Sequence, residues 1–332
     1  MIKIIAECGI NHDGDVDKAL DMIDIAKVAG ADYIKFQTFK ADELCTPDST
    51  TSRYIHQVLG EGEDFRGLLK RLELDYGEFM GIKSYCDNVD IGFMSTAFDV
   101  ESLKDLIEIG IDTIKIASGD ITDVLVLDKA KKSGLPIILS TGLADESDIV
   151  RALDILKECE VTLLHCVSLY PTELKELGLD RIKYLKKFKL PVGFSDHTEN
   201  LISGAVAVGM GVTIIEKHFT LDKTLDGPDH SFSLNPQELT QYIQNVRDAE
   251  TMVKHKAERH HEEVHQRLVH RKSVVARTDI KRGEKFTLAN LTLKRPGSGL
   301  SPHKLNEVLG KESNQELKID TLITKGDYEP TR

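Results

Sequence analysis

The chain has 332 residues, 40% of them apolar, with 43 basic and 55 acidic side chains and a formal charge of −12. That length allows one large α/β domain and a small second one. The acidic balance makes nucleic acid and anionic membranes poor general partners, so an anionic substrate would need a local cluster of Lys and Arg. The cysteines are odd in number (Cys8, Cys45, Cys86, Cys159 and Cys166) and lack metal-type spacing. A disulfide framework is therefore not expected, and a reducing cytoplasm fits best. The N-terminus lacks the features of a signal peptide, and no apolar run is long enough to span a bilayer.

Short β-branched runs alternate with amphipathic helical patterns along the chain. The strand-like runs are Ile2–Cys8, Tyr33–Phe39, Ile91–Ala97, Thr113–Ser118, Pro136–Thr141, Val161–Val167, Pro191–Ser195 and Val212–Phe219. Val16–Ala29, Glu101–Ile109, Asp145–Lys157 and Leu201–Val208 read as helices between them, and Asn235–Lys256 reads as an eighth. The connection from the second run to the third is the longest, and its first part, Leu44–Glu63, reads as loop. Eight such units predict a parallel (β/α)₈ barrel over 1–254. No Gly-x-Gly-x-x-Gly follows the first strand, which weakens a dinucleotide-binding reading. The polar, His-rich stretch 255–272 reads as a linker, and a short β-type pattern occupies 273–332.

Nearly every strand ends in polar residues, where barrel active sites are built. Residues two apart on a strand share a face, so Lys35 pairs with Gln37, Ser195 with His197, and Glu216 with His218. Lys217 must then face the other way or sit where its strand breaks. His197 and His218 end consecutive strands about 4.8 Å apart. Two such imidazoles suit a divalent metal acting as Lewis acid, or simply hydrogen-bond within the barrel mouth. Lys35 and Lys115, with Ser118, Ser140 and Ser195, suit a phosphate; alternatively the lysines snorkel, or one forms a Schiff base. Glu7, Asp120, Glu216 and Asp229 are candidate acid–base or hydroxyl-binding carboxylates, or structural partners of lysines. His261-Glu262-Glu263-Val264-His265 matches the zinc-peptidase pattern H-E-x-x-H, but its charged setting favours a solvated helix or loop.

Several ordered segments resemble the sialic acid synthase family. They are Ala6-Glu7-Cys8-Gly9-Ile10-Asn11-His12, Ile34-Lys35-Phe36-Gln37, Met94-Ser95-Thr96, Lys115-Ile116-Ala117-Ser118-Gly119, Leu139-Ser140-Thr141-Gly142, Leu164-His165-Cys166 with Tyr170-Pro171-Thr172, Gly193-Phe194-Ser195-Asp196-His197-Thr198 and Glu216-Lys217-His218-Phe219-Thr220 followed by Gly227-Pro228-Asp229. Lys294-Arg295-Pro296-Gly297 looks like the family's C-terminal antifreeze-like (SAF, β-clip) domain. The resemblance implies condensation of phosphoenolpyruvate with an N-acyl amino sugar aldehyde, using Mn²⁺ or Mg²⁺, in a domain-swapped homodimer.

Carried over, His197 and His218 are the metal ligands. Lys35, Thr96, Lys115, Ser118, Ser140 and Ser195 match phosphoenolpyruvate-binding positions, and Lys115 is also a catalytic candidate. Tyr170, Asp229 and Glu7 match sugar-side positions, Gln37 lies in the pocket, and Arg295 reaches the sugar in the partner's site. Glu7 or Asp229 would move protons. Asp120 stands where the family usually has Glu, and Ser168 where neuraminate synthases have Asn. The resemblance ranks N-acetylneuraminate or legionaminate ahead of pseudaminate as the product. A Schiff-base aldolase on Lys115 or Lys217 is the remoter alternative.

Overall fold

The structure, a computed structural model, describes residues 1–51, 53–56, 64–254 and 259–329. It has two compact units, Met1–Lys254 and His255–Arg332. In the first, eight strands close into a barrel in sequence order. They are β1 (Lys3–Gly9), β2 (Tyr33–Thr38), β3 (Gly92–Ala97), β4 (Ile114–Ile116), β5 (Ile137–Ser140), β6 (Val161–His165), β7 (Val192–Asp196) and β8 (Ile214–His218). All neighbouring pairs are parallel, and β8 closes on β1 with Glu7 opposite His218. The expected barrel is the observed one. The strand β4 is shorter than its apolar run because Gly119–Thr122 already turns as a 3₁₀ segment.

Local chemistry sets the element ends. The helix Val16–Ala29 starts on Asp15, whose carboxylate accepts from the amides of Asp17 and Lys18, and it stops at left-handed Gly30. The helix Tyr76–Val89 opens with a reciprocal Asp75–Glu78 capping box. The Leu44–Glu63 stretch is not all loop. Arg53–His56 is a helical turn, flanked by the short helices Ala41–Leu44 and Phe65–Leu72. Their apolar residues cluster with Ile10 and Phe39 into a satellite core, a tertiary contact that local sequence pattern does not encode. The rest of that stretch, 52 and 57–63, lies outside the described residues.

The barrel interior is layered. Ile5, Met94, Ile138, Leu164 and Ile214 form an apolar plug across it. Gly193 permits this packing: a Cβ there would lie 2.4 Å from Leu164 Cδ2 and 2.8 Å from the Ile214 carbonyl. Moving two residues along each plug strand reaches Glu7, Thr96, Ser140, Cys166 and Glu216, the next layer up. The larger core lies outside the strands, between them and the helices.

The second unit packs Val274, Ala276, Ile280, Phe286 and Leu291 around an antiparallel pair, β9 (Ser273–Ala276) and β10 (Leu291–Lys294). Part of the segment read as linker is ordered: His261–His270 is a helix, pinned where the Gly297 amide donates to the Leu268 carbonyl at 2.7 Å. Residues 255–258 lie outside the described residues. His261, Glu262 and His265 are all exposed on that helix, so the zinc-peptidase pattern has no buried site around it.

Candidate active site

A cavity of about 930 Å³ opens at the C-terminal ends of the strands. It gathers thirteen of the residues singled out from sequence: Glu7, Lys35, Gln37, Thr96, Lys115, Ser118, Ser140, Ser168, Tyr170, Ser195, His197, His218 and Asp229. Asp120 is not among its lining residues. It sits on the 3₁₀ turn after β4 with a buried Oδ2 lacking a hydrogen bond, and burial pushes its carboxyl up to about 7. Arg295 lies in the second unit. Glu216 and Cys166 also line the cavity, as does an apolar wall that includes Phe39, Leu44, Phe65, Leu68 and Phe98. The sequence offers Glu216 as one of four candidate carboxylates and as the face partner of His218, without a role as counter-ion to both lysines.

The floor is a buried charge network. Lys35 Nζ lies 2.6 Å from Glu7 Oε2, and donates to Thr96 Oγ1 at 2.9 Å. Glu216 Oε2 stands between the two lysines, 3.7 Å from Lys35 Nζ and 3.8 Å from Lys115 Nζ. Ser195 Oγ donates to the other Glu216 oxygen at 2.8 Å. Burial would raise the Glu216 carboxyl, but Lys115 and Lys35 overcome it and hold the group at about 2. Glu216 is thus the fixed anion that lets two lysines stay buried. Burial opposes the Lys35 charge too, yet Glu216 and Glu7 outweigh it and raise its pKa. Lys115, with less help, is lowered by burial. Glu7 is pushed up to about 7, mainly by burial.

One side of the floor is made for an anion. The Gly142 amide points at Ser118 Oγ (3.1 Å) and Cys166 Sγ (3.2 Å). A side chain at Gly142 would collide with Ser168 Oγ at 2.5 Å and Ser118 Oγ at 2.8 Å. The hydroxyls of Ser118, Ser140 and Ser195 and the ammonium groups of Lys35 and Lys115 line the same cavity, a set that suits a small anion, while the Gly142 N–H is taken up by Ser118 and Cys166 and positions them.

On the opposite side stand the imidazoles. The His197 and His218 ring centroids are 5.5 Å apart, and Tyr170 lies 4.3 Å from the His197 ring. His197 Nδ1 donates to the Val167 carbonyl at 2.6 Å, which leaves Nε2 without a proton. Burial brings the His197 pKa down to about 4 and drives that of His218 well below its ordinary value. Both rings are neutral at physiological pH, the form that binds a metal. His218 Nδ1 is buried with no hydrogen-bond partner among the described residues, 3.9 Å from Asp229 Oδ2. Two neutral imidazoles, one with an orphaned nitrogen, fit a divalent cation whose remaining positions stay open to other ligands. No group of three or more His, Cys, Asp or Glu that could hold a metal occurs among the described residues, so the protein's share would be the histidine pair.

Asp229 hangs over the mouth on the turn after β8. Ser233 Oγ donates to its carbonyl, and Asn11 Nδ2 donates to Ser233 Oγ at 3.0 Å and to the Phe219 carbonyl at 2.9 Å. His230 bonds Asp13 Oδ1 at 2.9 Å and Thr220 Oγ1 at 2.6 Å. The turn is thus hooked onto the loop after β1. Burial, with help from Glu7, pushes the Asp229 carboxyl up to about 7. Lys217 faces away from this cavity, into contact with Asp196 at 3.2 Å. A Schiff base at Lys217 is therefore excluded by its direction.

Comparison with known proteins agrees with this geometry. The NeuB family profile matches residues 22–258, and the SAF domain profile matches 271–329. The N,N'-diacetyllegionaminic acid synthase of Campylobacter jejuni is 40% identical over 327 residues, covering 96% of this chain and 98% of the relative. The pseudaminic acid synthase of the same species is 34% identical, covering 99% and 97%. Among solved structures, the N-acetylneuraminic acid (sialic acid) synthetase of Leptospira borgpetersenii superposes with a TM-score of 0.71 at 38% identity, covering 80% of this chain and 90% of that one. With its barrel, its cavity and these matches in hand, the chain belongs to the NeuB family and carries a SAF domain after the barrel.

Proposed function

We propose that this chain is a nonulosonic acid synthase: it joins phosphoenolpyruvate, an N-acyl amino sugar aldehyde and water into a nine-carbon 2-keto sugar acid and phosphate. The observation that carries this reading is the opposition, in one cavity, of two buried lysines with a hydroxyl-lined anion pocket and two neutral imidazoles. Lys35, Lys115, Ser118, Ser140 and Ser195 would hold the phosphate and carboxylate of phosphoenolpyruvate. A Mn²⁺ or Mg²⁺ ion on His197 and His218 would supply Lewis-acid polarisation of the aldehyde carbonyl. Fixing both reactants removes much of the entropic barrier to the carbon–carbon bond. C3 of phosphoenolpyruvate attacks the aldehyde carbon, water adds at C2, and C–O cleavage releases phosphate. Glu7 and Asp229, both with pKa values near neutrality, can hold or give a proton beside the reacting centre. Tyr170, Gln37 and Ser168 belong to the sugar side on this reading, whereas Asp120, off the cavity lining, has no place there.

The apolar wall favours a particular acceptor. Sugar hydroxyls laid against Phe39, Leu44, Phe65 and Leu68 would lose water without gaining partners, at about 1–3 kcal/mol each. Methyl groups there gain about 0.8 kcal/mol per buried carbon. A 2,4-diacetamido-trideoxy hexose, leading to N,N'-diacetyllegionaminate, therefore suits the pocket better than N-acetylmannosamine. Arg295 acting in a partner's site, within a cytoplasmic homodimer, rests on the family resemblance.

The test is to incubate the protein with Mn²⁺, phosphoenolpyruvate and each acceptor, following phosphate and 2-keto acid. Absence of both products with every acceptor refutes the reading. Borohydride trapping of pyruvate on Lys115 would favour a Schiff-base aldolase instead. If Arg295 acts across subunits, mixing Arg295→Ala and His197→Ala proteins restores part of the activity; two inactive proteins that stay inactive refute it.

A further inference from the structure

The two histidines are held from behind. Asp196 and Lys217 are register partners on β7 and β8, and each precedes one of the histidines in sequence. Both point to the helix side of the sheet, and neither is more than 1% exposed. Lys217 Nζ lies 3.2 Å from Asp196 Oδ2, and the same ammonium donates to the Thr198 carbonyl. Asp196 Oδ1 accepts from the Thr198 amide at 2.9 Å and from its hydroxyl at 2.8 Å. Tyr242 donates to Asp196 Oδ2 at 2.9 Å from the helix Pro236–Lys254, and Ser203 donates to the same oxygen from the helix Ser203–Gly209.

His197 is therefore bracketed. The residue before it and the residue after it are both tied to one ammonium, and that ammonium belongs to the residue before His218. His197 sits one residue past the end of β7, beyond the strand's ladder, and its other ties are the ring bond to the Val167 carbonyl at 2.6 Å and the Thr172 amide donating to its carbonyl at 2.9 Å.

We propose that the Asp196–Lys217 pair is a positioning clamp that sets the spacing of the two imidazoles from the outer face of the barrel. A buried ion pair replaced by neutral groups of similar volume often leaves a protein folded. Its positioning role can then be separated from its contribution to stability. The proposal rests on the reading of His197 and His218 as a metal pair only for its functional consequence; the clamp itself is a statement about ring placement.

The experiment compares the full chain with the double variant Asp196→Asn/Lys217→Met and with the milder Tyr242→Phe. Three readouts are taken: cooperative thermal unfolding, ¹⁵N resonances of the His197 and His218 rings in metal-free protein, and Mn²⁺ affinity by calorimetry. The expected result is a folded double variant whose ring resonances shift or broaden and whose Mn²⁺ affinity falls about 10- to 100-fold, the range for lost outer-shell support. Tyr242→Phe shifts the ring resonances in the same direction by less, and decides the matter if the double variant does not fold. Unchanged ring resonances in a folded variant overturn the proposal. If the native chain takes up no Mn²⁺, the metal reading falls, and the ring resonances alone still judge the clamp.

Discussion

Removing the charge of Glu216 tests the electrostatic account of the floor directly. Its Oε2 lies 3.7 Å from Lys35 Nζ and 3.8 Å from Lys115 Nζ. At an effective dielectric of about 20, each contact has a gross attraction of about 4 kcal/mol. Most of that offsets the desolvation of the three ions, so the net effect is smaller. Taking one partner from a buried ion network costs about 3–5 kcal/mol, because the remaining charges are stranded. Glu216→Gln keeps the shape and the acceptor for Ser195 while stranding the Lys115 ammonium and leaving Lys35 with Glu7 alone. For a unit of this size the loss corresponds to a barrel melting temperature lower by about 6–20 °C. The distinctive expectation concerns rescue. An anion in the pocket restores the missing negative charge, so phosphate or phosphoenolpyruvate raises the melting temperature more in Glu216→Gln than in the native chain. Differential scanning fluorimetry across a phosphate titration measures this. Equal stabilisation of the two proteins by phosphate, or an unchanged melting temperature, refutes the assignment of Glu216 as counter-ion.

Four further expectations follow from the same geometry. Glu7 and Asp229 both bind protons up to about pH 7, against ordinary values of 4.5 and 3.8. Folded-state pKa values raised in this way mean that the native state holds more protons than the unfolded one across that window, so stability falls as pH rises from about 4 to 7; denaturant melts at several pH values check the sign. If Asp229 must be ionised for turnover, kcat/KM climbs toward neutrality, and Glu7→Gln moves that limb to lower pH because Glu7 helps raise Asp229; a limb that stays in place counts against the coupling. Gly142→Ala forces a Cβ to 2.5 Å from Ser168 Oγ on the sugar side and 2.8 Å from Ser118 Oγ on the phosphoenolpyruvate side, so it raises the KM for both substrates, as steady-state kinetics will show. Gly193→Ala instead strikes the plug and costs about 1–3 kcal/mol of stability, measured by urea unfolding.

How far the sequence could be read depended on whether the physics was local. The eight strand–helix units were legible because periodicity and length are local signals, and the polar strand ends pointed to the mouth. The pairing of Glu216 with His218 and of Ser195 with His197 followed from alternation alone. The same rule reaches Cys166, two residues past Leu164; in sequence it stands only as a cysteine and as part of the Leu164-His165-Cys166 segment, because an uncharged thiol carries no signal of a cavity position. The apolar wall was out of reach, because Phe39, Leu44 and Leu68 meet only through tertiary packing of the long connection after β2. The role of Asp196 was equally hidden. Its partners come from β8, from the helix Ser203–Gly209 and from the helix Pro236–Lys254, far apart in the chain.

The apolar plug of Ile5, Met94, Ile138, Leu164 and Ile214 has a kinetic consequence. It fills the barrel interior beneath the cavity, which among the described residues opens at the C-terminal ends of the strands. Lys35 and Lys115 lie one layer above that plug, whereas Tyr170 and Asp229 stand nearer the opening. On the proposed reading, whatever occupies the lysine level must arrive before the sugar, and cannot depart past it. The traffic is then last-in, first-out: the sugar acid leaves ahead of inorganic phosphate, with no gate or moving lid required to enforce the order.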